Sequence, residues 1–373
     1  MMAQDHNRIL ILSGQLGAAG TPQVLLNITK HLRKETDIEI AYLGGKSELV
    51  PEFQDLGVPV HRLGETPISI ESLLSLRRLL KDRKYDLLHT HMMAGGLIGR
   101  IIGRIVGIPV VSTIHTSYPN RPYRAKIPDL ATSPLAEMNI CVSNAVEQSL
   151  PRTYKLGSRT KVVHNCIDVD QIRQEGMKEW DSLDWTTNVE KDAPLIANVA
   201  RYDPKKRRKD LIKSLPLILE EHPSATIIFT GDGQGKEELQ MLARKYDVHD
   251  NIACVGFVEN PQSVYHHADL VALPSISEGF SISMLEAMAH GKPIVATSIP
   301  PFQEALGEDH PFVEPCSPQE LGEKIRQVLS DESFAEELGE KAFARVQKNF
   351  SGESAAIKYR RIYQSVLDTA NNE

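Results

Sequence analysis

Two carboxylates eight residues apart, Glu278 and Glu286, bracket the stretch of this chain whose residue types are suited to chemistry. They belong to PSISEGFSISMLEAMAHGKPIVAT, Pro274 to Thr297, with Gly279, Phe280 and Ser281 between them. The apolar run DLVALP just ahead reads as a buried strand, Ile282 to Ala289 has helical composition, and Gly291 stops the helix. That order brings Gly279 to Ser281 to a helix start, where backbone N–H groups and the positive end of the macrodipole favour an anion such as phosphate. One carboxylate lies in the loop and the other about a turn inside the helix, so the pair could hold different hydroxyls of one polyol phosphate. A plainer reading uses the same residues: Ser275-x-x-Glu278 also fits a capping box, and Glu286 also fits an ordinary helix-surface residue.

The elements that must position this stretch alternate between strand and helix. PLIANVARYDPKKRRKDLIKSLPLIL, SATIIFTGDGQGKEELQMLARKY and NIACVGFV read as a second α/β series. Arg201 follows a strand and Lys206 comes five residues later, inside KKRRK, which taken alone is a solvated basic run. Gly231-Asp232-Gly233 and Val255-Gly256-Phe257 end two further strands, at the carboxyl edge where open α/β sheets bind ligands. The front of the chain has the same alternation, beginning with RILILS, the loop GQLGAAGTPQ and an amphipathic helix. Gly14, Gly17 and Gly20 in that loop have the spacing G-x-x-G-x-x-G, which is not the dinucleotide fingerprint. His89 and His91 share one face at a strand end and His115 ends another strand. No acidic or Cys ligand is paired with them, so no metal site is expected.

A chain of 373 residues suits two domains. We place them at 1–175 and 176–350, with a terminal helix over 351–373, and take the charged, aperiodic stretch Arg173 to Pro194 as their connection. Charged residues at 24% and hydrophobic ones at 41% are ordinary for a folded soluble protein. No stretch approaches a membrane span, and the first apolar run reads as a strand rather than a signal peptide. Four scattered cysteines indicate neither zinc nor a disulfide framework, so a cytoplasmic setting is expected. Residues 1–180 hold 22 Lys and Arg against 18 Asp and Glu, the remainder 20 against 31. A basic front half suits an anionic acceptor or membrane surface. Within it, Arg77, Arg78, Lys81, Arg83 and Lys84 crowd a helix whose Leu73, Leu74, Leu76, Leu79 and Leu80 face either a membrane or the core.

The wording E-G-F-x(5)-E-A-M-A-x-G-x-P-I-V-A resembles the nucleotide-sugar site of the retaining glycosyltransferases of family 4. The resemblance implies the GT-B fold: α/β, two Rossmann-like doubly wound domains facing a cleft, with a C-terminal helix crossing back to the first domain. It implies that Glu278 meets the donor sugar, Glu286 holds the ribose, and the backbone of Gly279, Phe280 and Ser281 meets the diphosphate. Arg201 and Lys206 match the Arg and Lys of R-L-x-P-x-K-G that contact the diphosphate, with Arg207 in place of that Gly. Lys205 and Arg207 to Lys209 keep the solvated reading. Phe257 matches the position that approaches the base, His115 the histidine near the donor sugar and acceptor. The segment Ala19 to Leu26 resembles the family's glycine loop G-G-x-E-x-x-L, so Gly20 faces substrate, while Pro22 stands where the family often has Glu. TKVVHNCIDVDQI resembles the family's N-G-I/V-D turn with Cys166 replacing Gly. The likeness is strongest over 196–300 and weakest over 116–136.

The implied function is metal-independent, retaining transfer of a sugar from a nucleoside diphosphate to a glycan, lipid-linked or small-molecule acceptor, in cell-surface polysaccharide or glycoconjugate synthesis. No cofactor is expected beyond the co-substrate, no nucleic acid is expected as partner, and the protein is expected at the inner face of an anionic membrane by peripheral contact. Two rivals share the scaffold: a nucleotide-sugar epimerase, which needs no acceptor, and a sugar-nucleotide-binding protein without turnover.

Overall fold

The computed structural model describes residues 7–18, 20–155, 159–186 and 189–370. The chain divides after Cys166 and again after Ser351, so that the C-terminal helix Gly352–Ala370 belongs with the first unit. Each unit is a parallel sheet with helices on both faces. Parallel strands covered on both sides read as unbroken apolar runs, and Ile9, Leu10, Ile11 and Leu12 of the first strand have no solvent exposure at all.

In the first unit the strands are β1 (Arg8–Ser13), β2 (Asp37–Tyr42), β3 (Val60–Arg62), β4 (Leu87–His91), β5 (Val110–Ile114), β6 (Met138–Cys141) and β7 (Arg159–Val162). Their spatial order is β3-β2-β1-β4-β5-β6-β7. The helices are α1 (Thr21–Leu32), α2 (Val50–Asp55), α3 (Ile70–Arg83), α4 (Met92–Val106), α5 (Tyr123–Thr132) and α6 (Asn144–Gln148). Chain direction reverses its course across the sheet between β1 and β4, which makes that gap a topological switch point. Helix α4 lies unusually close to the strands because glycines line its inner face. A Cβ on Gly99 would stand 2.3 Å from a Thr90 methyl, and one on Gly103 would stand 2.3 Å from a Val110 methyl. On α3, Leu76 and Leu80 are buried and Leu73 and Leu79 pack against the same core, leaving Leu74 as the exposed leucine. Most of the leucines offered to a membrane by the sequence thus hold the helix to its sheet. The C-terminal helix packs on α1.

The second unit opens with α7 (Val169–Gly176). It continues with β8 (Leu195–Val199), α8 (Arg208–Leu219), β9 (Thr226–Thr230), α9 (Lys236–Lys245), β10 (Ile252–Gly256), α10 (Gln262–His267), β11 (Leu270–Leu273), α11 (Ile282–Ala289) and β12 (Ile294–Ala296). Helices α12 (Pro300–Leu306), α13 (Pro318–Ser330) and α14 (Glu332–Asn349) complete it. The strand order β10-β9-β8-β11-β12 places the switch point between β8 and β11.

The stretch Arg173 to Pro194 is not a connection. Thr187 and Asn188 lie outside the described residues, but α7 packs on α10 and α11, and the tryptophans that follow it are structural. Trp185 is buried and donates from its indole nitrogen to Ser263 Oγ at 3.0 Å, with Trp180 edge-on to it and to His267. An aromatic cluster built from two three-residue 3-10 turns and α10 has no period for a sequence reading to detect. Cys166 is fully buried and its thiol is pushed up to about 12 by burial. The turn there keeps negative φ, so it does not require the family's glycine.

Candidate active site

The loops that leave β8 and β11 flank the switch point of the second unit, and they carry Arg201, Lys206 and Glu278. The two loops are joined twice. Ile276 N–H donates to the Lys205 carbonyl at 2.9 Å, and Lys206 Nζ meets Glu278 Oε1 at 2.6 Å. Both members of that ion pair are largely withdrawn from solvent, with side chains 21% and 12% exposed. Arg201 is exposed. Its loop is fixed by Tyr202 N–H, which donates to the Asp232 carbonyl at 3.0 Å, and by Gly231, whose φ is +125°. A Cβ on Gly231 would fall 1.9 Å from the Ala200 carbonyl oxygen, so the glycine allows the β9 loop to lie against the β8 loop.

Ser281, not Ser275, caps α11: Met284 N–H donates to Ser281 Oγ at 3.4 Å. Ser275 is buried, with its carbonyl accepting from Thr297, and Glu278 is committed to Lys206, so the Ser275–Glu278 capping box does not form. Phe280 is turned inward against Phe350, ring centroids 5.1 Å apart, so what it offers at the helix start is backbone. Phe257, after β10, is two-thirds exposed.

Glu286 is not a free helix-surface residue either. Gln262 Nε2 donates to its Oε1 at 3.0 Å and the Tyr265 hydroxyl donates to its Oε2 at 3.1 Å. Burial raises its carboxyl to about 7, against the opposing pull of those two hydrogen bonds. Gly176 at the end of α7 lets that helix approach, since a Cβ there would stand 2.8 Å from the Gln262 carbonyl.

The basic run divides differently from the solvated reading. Lys205 and Lys209 are exposed, the latter paired with exposed Glu238. Arg207 adopts a left-handed backbone, φ +51°, which explains why its family counterpart is usually glycine. It also pairs with Asp210 at 2.7 Å. Arg208 is buried, 4% exposed. Its Nε donates to Asn198 Oδ1 at 2.9 Å, and its Nη2 donates to the carbonyls of Ala200 and Thr230. Asn198 in turn donates to the Ala272 carbonyl at 2.8 Å. One guanidinium thereby ties together the ends of β8, β9 and β11, the strands from which the site loops depart. The signal was present: Arg208 precedes Leu211, Ile212 and Leu215 at helical spacing and so shares their buried face. Gln262 and Tyr265 had no comparable signal on a six-residue helix.

In the first unit, Gly20 caps α1 with φ +75°, exposed and with open space where a Cβ would stand. Ala19, its neighbour in the glycine loop, lies outside the described residues. His115 follows β5 and is joined to the other two histidines. His91 Nδ1 and His115 Nε2 are 3.0 Å apart, and His91 Nε2 and His89 Nδ1 are 3.4 Å apart. His89 also meets the Tyr363 hydroxyl at 2.7 Å and the Thr113 hydroxyl at 2.8 Å. Burial holds all three rings neutral, His89 down to about 3, His115 down to about 4, and His91 well below its ordinary value. Among the described residues no group of three or more His, Cys, Asp or Glu is arranged to hold a metal ion, and no helix is long and apolar enough to cross a membrane.

Comparison with known proteins gives two family models in tandem. Residues 18–171 match Glycosyltransferase Family 4, and residues 181–345 match Glycosyl transferases group 1. The uncharacterized glycosyltransferase MJ1607 of Methanocaldococcus jannaschii is 25% identical over 350 residues, covering 86% of this chain and 88% of that protein. The UDP-Gal:alpha-D-GlcNAc-diphosphoundecaprenol alpha-1,3-galactosyltransferase of Escherichia coli is 24% identical over 241 residues, 62% of each chain. HepE of Anabaena, crystallised in complex with UDP-glucose, superposes with a TM-score of 0.79 at 20% identity, covering 96% of this chain and 99% of that one. At that identity the likeness establishes the fold, which is GT-B.

Proposed function

This chain belongs to the family 4 glycosyltransferases, and from that membership we propose that it moves a sugar, with retention of configuration and without an essential metal, from a nucleoside diphosphate to an acceptor hydroxyl in glycan or glycoconjugate synthesis. The observation that carries the reading is the Lys206–Glu278 pair at the β8/β11 switch point, beside the start of α11. A lysine held against a carboxylate is positioned rather than mobile. When a diphosphate arrives the ammonium gains a second anionic partner, and Glu278 is left facing the sugar that the diphosphate carries. Arg201, exposed on the same loop, supplies the other cation. Together with the backbone of Gly279 to Ser281 these groups would stabilise the departing charge.

In this reading Glu286 accepts from ribose hydroxyls, Phe257 lies along the base, and His115 and Gly20 serve the sugar and acceptor. The anomeric carbon loses its bond to the β-phosphate oxygen and gains one to the acceptor oxygen on the same face. The acceptor proton passes to the departing phosphate, and the sugar goes through an oxocarbenium-like state. The complex of HepE with UDP-glucose makes UDP-sugars the first donors to try. The test is a panel of UDP-, GDP- and ADP-sugars, with and without chelator, scored by diphosphate release and by the anomeric configuration of the product. An inverted linkage from an α-linked donor overturns retention, and activity abolished by chelator overturns metal independence.

A further inference from the structure

We propose that His290 and Gln262 are positioning residues that orient the Glu286 carboxylate toward both hydroxyls of a ribose, and that this pair makes the protein discriminate against deoxynucleotides. The inference rests on the reading above in which Glu286 meets the ribose. Gln262 on α10 is 6% exposed, and its side chain joins two polar groups. Its Nε2 donates to Glu286 Oε1 at 3.0 Å, and its Oε1 lies 3.2 Å from His290 Nε2. His290 follows α11 directly, four residues after Glu286 and so on the same side of the helix. Its ring also stacks on Tyr265, centroids 5.9 Å apart and planes 17° from parallel, and the Tyr265 hydroxyl donates to Glu286 Oε2 at 3.1 Å. One histidine therefore holds both of the groups that hold the carboxylate. Gly176 leaves room for it, since a Cβ there would stand 2.5 Å from His290 Cε1.

The direction of each hydrogen bond follows from the carboxylate. An ionised carboxylate only accepts, so Gln262 must turn its amide nitrogen toward Glu286 and its oxygen toward His290. His290 must then donate from Nε2. Burial holds that ring neutral, down to about 3, so the single N–H it carries is the one that fixes the amide. Without that N–H the amide would be free to turn over and set its oxygen against Glu286, two acceptors facing each other. With it, each oxygen of Glu286 accepts one hydrogen bond from the protein and keeps lone-pair capacity for another. Two acceptor positions one carboxylate apart are complementary to the two O–H donors of a vicinal diol. A 2′-deoxy or 3′-deoxy sugar offers only one such donor and leaves the other acceptor position unmatched.

The experiment is calorimetric titration of the full chain with UDP, 2′-deoxy-UDP and 3′-deoxy-UDP, or the guanine or adenine counterparts if the donor panel selects those. The unmodified protein should bind the ribonucleotide about tenfold more tightly than either deoxy form, and Glu286→Ala should bind all three alike. Gln262→Met, close in size but without the amide, and His290→Phe, which keeps the stack on Tyr265 but not the N–H, should each lower the ratio about fivefold. His290→Gln, which restores a donor, should recover part of it. Simple damage to the fold would weaken all three nucleotides together and leave the ratio unchanged. The two variants break the chain at different links, so if thermal melting shows one to be unfolded the other decides. Added to Glu286→Ala, Gln262→Met should cost no further affinity for UDP, and an additive loss overturns the inference because Gln262 then acts elsewhere. A ratio lost in Glu286→Ala but kept in Gln262→Met and His290→Phe overturns the inference alone. Equal binding by the unmodified protein, or a ratio that Glu286→Ala leaves intact, overturns the ribose reading and the inference with it.

Discussion

The two switch points of this protein share a topology and differ in chemistry. At β8/β11 the loops bring Arg201, Lys206 and Glu278, and charges meet charges. At β1/β4 and the adjoining end of β5 the strands bring His89, His91 and His115, all held neutral. Strand order therefore fixes where a site lies, and local residues decide whether it takes an anion. A buried imidazole that stays uncharged is a hydrogen-bonding group, whereas a lysine held by a carboxylate keeps its charge in place for a second anion.

The largest expected effect comes from removing the charge at β8/β11. Lys206→Ala should lower turnover by about 10²-fold, the value of a cation aimed at developing anionic charge in a shielded site. Lys209→Ala, three residues away but exposed, should leave turnover unchanged. Steady-state rates of the two variants side by side decide the matter, and equal losses would mean that the basic run acts as a diffuse field. A smaller effect distinguishes Glu286. Its carboxyl is raised to about 7, so below that pH the free protein holds it protonated, and ribose hydroxyls donating to the carboxylate must displace the proton. UDP affinity is expected to rise with pH through neutrality. In Glu286→Gln it should be about tenfold weaker at alkaline pH and flat across the range. Calorimetric titration in a pH series gives both numbers, and a parallel slope in the variant would show that another group titrates.

The smallest effect belongs to the histidines. A ring whose folded pKa lies below its unfolded value of 6.5 stabilises the fold above that pH, and the stabilisation is lost as pH falls toward about 4 or below. Melting temperature should decline over that window, and His91→Gln should make the decline shallower. It should not abolish it, because His290 and His310 in the second unit are also held low by burial. An unchanged acid slope would separate the three rings from acid stability.

The architecture was legible because buried parallel strands announce themselves as apolar runs, as RILILS does. The loop residues were legible because Glu278, Glu286 and Lys206 belong to patterned wording. What escaped was whatever depends on a partner distant in sequence. The helical spacing of Arg208 marks its buried face but not its partners, the carbonyls of Ala200 and Thr230, and the environment of Glu286 is made by Gln262 and Tyr265 from another helix. The two tryptophans looked like a linker because their order is set by Ser263 and His267.

The histidine chain has a consequence for whatever meets His115. A neutral imidazole carries one N–H, and which nitrogen holds it is set by its neighbours. If His91 places its proton on Nδ1, it donates to His115 Nε2, and His115 must carry its own proton on Nδ1. If His91 places it on Nε2, toward His89, then His115 donates from Nε2 and its Nδ1 is a bare acceptor. The rings thus behave as a switch with two settings, and the polarity shown at one end is decided at the other. Ligands offering a donor or an acceptor to His115 would select opposite settings throughout, as far as the hydroxyls of Tyr363 and Thr113.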